Sequence, residues 1–328
     1  QAVAEFAASH TSTYTEPTWW LEGQVPDLVM KEDGQEPVLQ TLVITMGTPG
    51  VSFDVGKVYD QILDAYSMNE FEVRVEMTDE EMIPEELDKI LATTENVKMI
   101  YVIPDFQNPS GKTWSMKRRE HFMELVNKYE IPVIEDNPYG ELRFEGEYLP
   151  SLKSMDTKDL VIFLGTMSKI FAPGLRIGWV CANEKVLAKY NFVKQGADLQ
   201  SSTIDQLIAD QFLNDNDLDE HVEKIKAVYV KRRDAMLKTM EETFPKEVKF
   251  THPEGGLFTW CVLPEYMDAK VIAPQCLEKN VAYVPGGSFF PNGGKENHFR
   301  LNYSNATEEN LVIGIKRIGA VLTEILGK

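Results

Sequence analysis

The feature that most constrains this chain is a rhythm between residues 84 and 181. Short, almost wholly apolar runs at 99–103, 131–134, 160–164 and 177–181 are separated by segments of helical character. A strand without polar alternation has no face to give to water, so both of its faces must be covered. That is the situation of a mostly parallel sheet under crossover helices. Residues 84–91 (Pro-Glu-Glu-Leu-Asp-Lys-Ile-Leu) put proline at a helix start and acids in its first turn. Residues 115–129 place Phe122, Val126 and Tyr129 on one helical face.

Beyond about residue 196 the texture changes. A long charged helical stretch (217–243) leads to apolar or aromatic runs at 257–263, 281–284 and 298–303. A closing helix from Thr307 carries Leu311, Ile315, Ile318, Leu322 and Ile325 on one face. The expected architecture is α/β. A large domain (36–195) holds the mostly parallel sheet sandwiched by helices, and a smaller α+β domain (196–328) follows. Residues 1–35 show no sustained period and receive no assignment.

Charge narrows the function. With 52 acidic against 33 basic side chains the formal net charge is -19, which repels phosphate backbones and anionic lipid, so neither nucleic acid nor membrane is an expected partner. No apolar run approaches the ~18 residues of a membrane span, and no basic-then-apolar leader is visible. Cys181, Cys261 and Cys276 form no CxxC pair and lie in apolar surroundings, so buried thiols in a reducing, cytoplasmic setting are expected. The five histidines have no metal-ligand spacing, and neither GxSxG nor HExxH occurs.

The chemistry gathers where strands end. Residues 164–178 (Leu-Gly-Thr-Met-Ser-Lys-Ile-Phe-Ala-Pro-Gly-Leu-Arg-Ile-Gly) set Lys169 where the chain leaves a buried strand. Its amine can there face a crevice at the carboxyl edge of the sheet and form a Schiff base with an aldehyde. Thr166 and Ser168 offer hydroxyls, and Arg176 offers a fork suited to a phosphate. A Ser-Lys pair alone is an ordinary loop mouth; the fifteen residues together are not. Residues 134–140 (Ile-Glu-Asp-Asn-Pro-Tyr-Gly) end the preceding strand. Asp136 can pair there with a protonated pyridine nitrogen, and Tyr139 can reach a phenolic oxygen on the same ring. An acidic turn is the plainer alternative. Asp105-Phe-Gln-Asn-Pro-Ser-Gly111 ends a third strand. Arg300 stands mid-strand in His298-Phe-Arg-Leu-Asn-Tyr-Ser304, where an unpaired guanidinium is costly, so a carboxylate partner is expected, an internal one included.

In this order, Asn-Pro-x-Gly, Asp-x-x-Tyr, Thr-x-Ser-Lys with Pro-Gly-x-Arg-x-Gly, and Phe-Arg-Leu, the chain resembles the class I/II aminotransferases of pyridoxal-phosphate fold type I. It is most similar to the branch of 2-aminoadipate, kynurenine and aromatic aminotransferases, to which residues 253–260 and 284–290 also conform. The resemblance covers roughly residues 82–326. It implies a homodimeric transferase that uses pyridoxal 5'-phosphate to move an amino group from an aromatic, aliphatic or 2-aminoadipate-like amino acid to a 2-oxo acid such as 2-oxoglutarate. Lys169 would be the Schiff-base lysine and proton shuttle, and Asp136 the partner of the ring nitrogen. Asn108 and Tyr139 would contact the 3'-oxygen. Thr166, Ser168 and Arg176 would hold the phosphate, and Arg300, with Asn108, the substrate. A β-lyase or decarboxylase of the same fold type shares these residues. An aminotransferase-like regulator would need a basic DNA-binding module ahead of residue 84, where this sequence is acidic.

The sequence departs from that family at its start. Residues 44–50 (Ile-Thr-Met-Gly-Thr-Pro-Gly) stand where members carry a Gly-Ser-Gln-like phosphate loop, and Pro49 removes a backbone donor. A further strand and a Pro-Thr-Tyr-like ring-stacking segment have no counterpart between Tyr59 and Gln61. A glycine-rich N-terminal substrate loop is not recognisable either. Loss of a central strand would unpair its neighbours' backbone, so segments missing from this sequence are expected, rather than a degraded site.

Overall fold

In a computed structural model the chain divides into two compact units, residues 1–70 and 71–328. The structure describes residues 82–290 and 293–327, and the backbone of two strands in the first unit. These are β1 (Thr18–Leu21) and β2 (Leu42–Thr45), antiparallel with Trp19 opposite Ile44. Apart from them, the unassigned segment 1–35 and the expected departures at 44–61 lie outside the described residues.

The second unit is organised by two four-stranded sheets. The first has the order β3 (Ile100–Val102), β4 (Val133–Asp136), β5 (Val161–Thr166), β6 (Gly178–Cys181); β3, β4 and β5 run parallel and β6 antiparallel. Helix α1 (Pro84–Thr93) starts on proline with Glu85 and Glu86 in its first turn. Helix α2 (Met116–Tyr129) is capped by Ser115, whose hydroxyl accepts from the Arg118 amide, and stops at Glu130 in the left-handed conformation. One face of the sheet sends Val102, Val133 and Val161 into a core with Leu87, Leu91, Phe122 and Val126. Each such side chain contributes about 1.5–3 kcal/mol on burial. By strand alternation Tyr101, Ile134 and Asp136 share the opposite face.

Strand β6 corrects two expectations. It is an antiparallel edge strand and mostly exposed, not covered on both faces, and the Cys181 thiol expected to be buried is exposed. Its partner β5 accommodates it through Gly165: a Cβ there would lie 2.1 Å from the Trp179 ring.

Helices α3 (Glu184–Ala197) and α4 (Thr203–Asp215) leave no legible apolar stripe, because α3 buries no residue and α4 only Ala209. Helix α5 (Leu218–Thr243) then leads to the second sheet. Its strands are β7 (Lys249–Phe250), β8 (Phe258–Val262), β9 (Val284–Pro285) and β10 (His298–Asn302), all antiparallel in the order β7-β8-β10-β9. The strand expected at 281–284 is thus two residues long and begins at Val284. Helices α5, α6 (Ala269–Glu278) and α7 (Glu308–Ile325) enclose its core, among them Met236, Met240, Cys261, Cys276, Phe299, Ile315 and Leu322. Ile325, expected on the buried face of α7, is 38% exposed, and Val321 takes its place.

A third core ties the two sheets together. Ile103, Phe106, Tyr139, Leu142, Met167 and Ile170 from the strand ends of the first sheet pack on Val222, Leu257 and Phe258. Beneath it Asp105 bridges two buried guanidiniums, Arg119 at 2.7 Å and Arg143 at 3.2 Å. Phe106 approaches Gly255 and Gly256 so closely that a Cβ at either would fall within 2.5 Å of its atoms, and Gly256 has φ +72°. This joint brings the carboxyl edge of the parallel strands beside β8 and β10. Among the described residues no helix is long and apolar enough to cross a membrane.

Candidate active site

Alternation on β4 separates two adjacent carboxylates that the sequence alone leaves side by side. Glu135 turns into the protein, 1% exposed, and accepts the Leu152 and Lys153 amides at 2.8 Å each. Burial pushes its carboxyl up, and those two donors oppose the shift. Asp136 faces the other way. Its Oδ2 accepts from the Tyr101 hydroxyl at 2.5 Å, and Oδ1 has no hydrogen-bond partner among the described residues. Asn137 closes the turn by accepting the Gly140 amide at 2.9 Å, as an Asx turn does.

Tyr139 follows on the same loop, buried edge-on against Phe258 at 5.8 Å. Burial first, and then the Asp136 charge, push its phenol up to about 12, against the pull of Arg300. It is therefore a neutral donor at ordinary pH.

The loop after β5 is clasped at both ends. The Met167 amide donates to Ile177 O at 3.0 Å and the Phe171 amide to Met167 O at 2.9 Å, with Met167 and Ile170 buried. Lys169 is held between those anchors, partly buried, and makes no ion pair or hydrogen bond among the described residues. Thr166 donates to Ile177 O at 3.2 Å and accepts the Ser168 amide at 3.1 Å. Its hydroxyl shapes this loop, and must give up the Ile177 bond to donate elsewhere. Arg176 is exposed and left-handed at φ 55°, and its guanidinium donates to Ser168 Oγ at 3.3 Å and Pro173 O at 2.9 Å. A left-handed non-glycine residue costs roughly 1–2 kcal/mol, and here it turns the cation back over the loop.

Across the joint, Arg300 of β10 donates from Nη1 to Asn108 Oδ1 at 2.6 Å, a contact spanning 192 positions of sequence. Its guanidinium lies 4.2 Å over the Phe258 ring and 5.2 Å from that of Phe289. Burial pulls its pKa down. No carboxylate pairs with it among the described residues, and Nε is buried without a partner. The internal ion pair allowed by the sequence is not what these residues form. An orphaned N–H of that kind is costly unless an acceptor arrives from outside.

Thus Asn108 and Arg300 touch, and Asp136 and Tyr139 share one loop. Ser168, Lys169 and Arg176 share another, and Thr166 holds that loop together. Sequence reading missed Tyr101, Phe258 and Phe289, because their role depends on cross-strand register and on a contact between distant segments. It also missed the burial of Arg119 and Arg143, as charged residues are seldom interior.

A parallel sheet whose strand ends carry a lysine and a carboxylate, beside an arginine from the adjoining antiparallel sheet that pairs with no carboxylate among the described residues, defines a class of enzyme rather than a structural module. The chain belongs to the aminotransferase class I and II family, whose pattern matches residues 57–318. It is 40% identical over 306 residues to aromatic-amino-acid aminotransferase 1 of Thermococcus litoralis, covering 92% of this chain and 73% of that protein. To the 2-aminoadipate transaminase of Thermus thermophilus it is 37% identical over 235 residues, 71% of this chain and 59% of that one. Among solved structures, a kynurenine aminotransferase of Pyrococcus horikoshii aligns with a TM-score of 0.74 at 39% identity, over 77% of this chain and 64% of that one. The chain therefore spans less than two thirds of the length of two of these three relatives.

Proposed function

We propose that this protein is a pyridoxal-phosphate-dependent aminotransferase, transferring an amino group from an aromatic, aliphatic or 2-aminoadipate-like amino acid to a 2-oxo acid. The observation that carries the reading is Arg300: a half-buried guanidinium between two aromatic rings, hydrogen-bonded to Asn108 and without a carboxylate partner among the described residues. A planar fork of this kind is matched by a ligand carboxylate.

The residues also fit the cofactor. Asp136 keeps Oδ1 for a ring nitrogen, and Asn108, whose Oδ1 is taken by Arg300, keeps its amide N–H for the ring's phenolic oxygen, beside Tyr139. Ser168 and Arg176 present donors for the phosphate, with Thr166 holding their loop. When bound, pyridoxal phosphate supplies an aldehyde for amine exchange and a protonated ring that takes up the electron pair released at the substrate α-carbon. Lys169 Nζ would be the amine that holds this aldehyde. The same amine would serve as the general base that carries the α-proton. Arg300 and Asn108 would fix the substrate α-carboxylate. Asp136 would favour the protonated ring nitrogen by its charge.

Assembly belongs to the same proposal: a cytoplasmic homodimer, supported by the apolar surface of α3 and α4, where Phe192 is 76% and Ile204 71% exposed. Borohydride reduction of the protein with pyridoxal phosphate, followed by peptide mapping, tests the chemistry. Label on Lys169 is expected, with transfer from a panel of amino donors to 2-oxoglutarate. Label elsewhere, or none at saturating cofactor, refutes the reading.

A further inference from the structure

We infer that Tyr101 is a positioning residue for the ring nitrogen, holding the Asp136 carboxylate aimed at it. The inference rests on the cofactor reading above and adds to it a residue outside the family motifs quoted from the sequence.

Register explains how Tyr101 reaches Asp136. In the parallel pair β3–β4, Tyr101 lies opposite Ile134, and Asp136 is one pleat further along the same face. The gap is roughly 6–7 Å along the strand, and side chains of a strand lean along its direction, so a tyrosine spans it where a shorter side chain would not. Its hydroxyl meets Oδ2 at 2.5 Å, in the range of a short charge-assisted bond. One carboxylate oxygen is thereby fixed and the other is aimed outward.

The bond also has a fixed donor. Desolvation and then the Asp136 contact raise the phenol above its ordinary range. With 57% of Tyr101 exposed, the carboxylate contact is the firmer cause. Tyr101 thus remains a donor. Without that bond the Asp136 carboxylate is free to turn away from the ring nitrogen, which weakens the opposite charge that favours the protonated ring. The other ionisable groups that act electrostatically here are Tyr139, on the loop after β4, and Arg300 of β10. Neither makes a hydrogen bond to Asp136 among the described residues.

The test uses pyridoxal phosphate labelled with nitrogen-15 in the ring, bound to wild type and to Tyr101→Phe. The ring-nitrogen resonance is followed against pH, beside turnover and thermal melts. In the variant the apparent pKa of the ring nitrogen should fall by about one unit, a tenfold loss of proton affinity. Turnover should fall about tenfold, with Michaelis constants and melting temperature nearly unchanged. A variant that carries cofactor on Lys169 with an unmoved titration overturns the inference. So does a variant that loses stability or cofactor outright, which would make Tyr101 structural. If wild type itself takes no cofactor on Lys169, the proposed function fails first and this inference falls with it.

Discussion

Replacing Arg300 with lysine keeps the charge and removes the geometry. Among the described residues the side chain makes one charged hydrogen bond, to Asn108, and stacks on Phe258 and Phe289. A lysine ammonium can still reach an amide oxygen. The structural loss is therefore part of one bond and of two cation–π contacts, together about 1–2 kcal/mol. That lowers the melting temperature by a few degrees. Ligand binding loses more, because the second prong on an α-carboxylate is worth about 1.5–3 kcal/mol, or roughly 10- to 150-fold in affinity at 1.36 kcal/mol per decade. Amino donor and oxo-acid acceptor present the same carboxylate, so both Michaelis constants should rise together, with cofactor affinity unchanged. Differential scanning fluorimetry beside steady-state kinetics for both substrates makes the measurement. A structural arginine would behave oppositely, since stranding a buried acid costs about 3–5 kcal/mol. A melt depressed on that scale with unchanged Michaelis constants would refute the assignment.

Three further outcomes follow from the geometry. Asp136→Ala should keep the fold and Lys169 labelling while cutting turnover by about two to four orders of magnitude; wild-type turnover would move the role elsewhere, although Glu135 is already committed to the Leu152 and Lys153 amides. Asp105→Ala should be the most destabilising, by about 3–5 kcal/mol in chemical denaturation, because it strands the buried Arg119 and Arg143 guanidiniums; a loss below about 1 kcal/mol would mean those cations do not depend on it. The Asp156 carboxyl is pushed up by burial but held below its ordinary 3.8 by the Val161, Leu160 and Lys158 amides and by Lys153. A depressed folded-state pKa contributes stability above about pH 4 that is lost as the pH falls further. Asp156→Asn should therefore flatten the stability profile in that acid window, and an unchanged slope there would count against the depressed pKa.

Much of this protein was legible as a string. Apolar runs without alternation favour covered strands, so the parallel sheet of β3, β4 and β5 followed from residue type, although the same reasoning failed at the exposed edge strand β6. Helices α1 and α2 announce themselves by Pro84 and by Ser115, local signals that depend on nothing distant. Lys169, Asp136 and Asn108 stood out because each sits within a few residues of a strand end, where such sheets bind ligands. What the string withheld depends on distance and register. Glu135 and Asp136 differ by one position, and only the burial of Val133 on the α2 face decides which of them turns to the crevice. Antiparallel placement at the edge exposed Cys181, which an apolar neighbourhood had marked as interior. Helices α3 and α4 were invisible because they bury almost nothing, and without burial no period is imprinted on sequence. The solitude of Arg300 is likewise a tertiary fact: its identity is local, but the absence of a carboxylate around it among the described residues is settled only when Asn108, Phe258 and Phe289 close in from three distant segments.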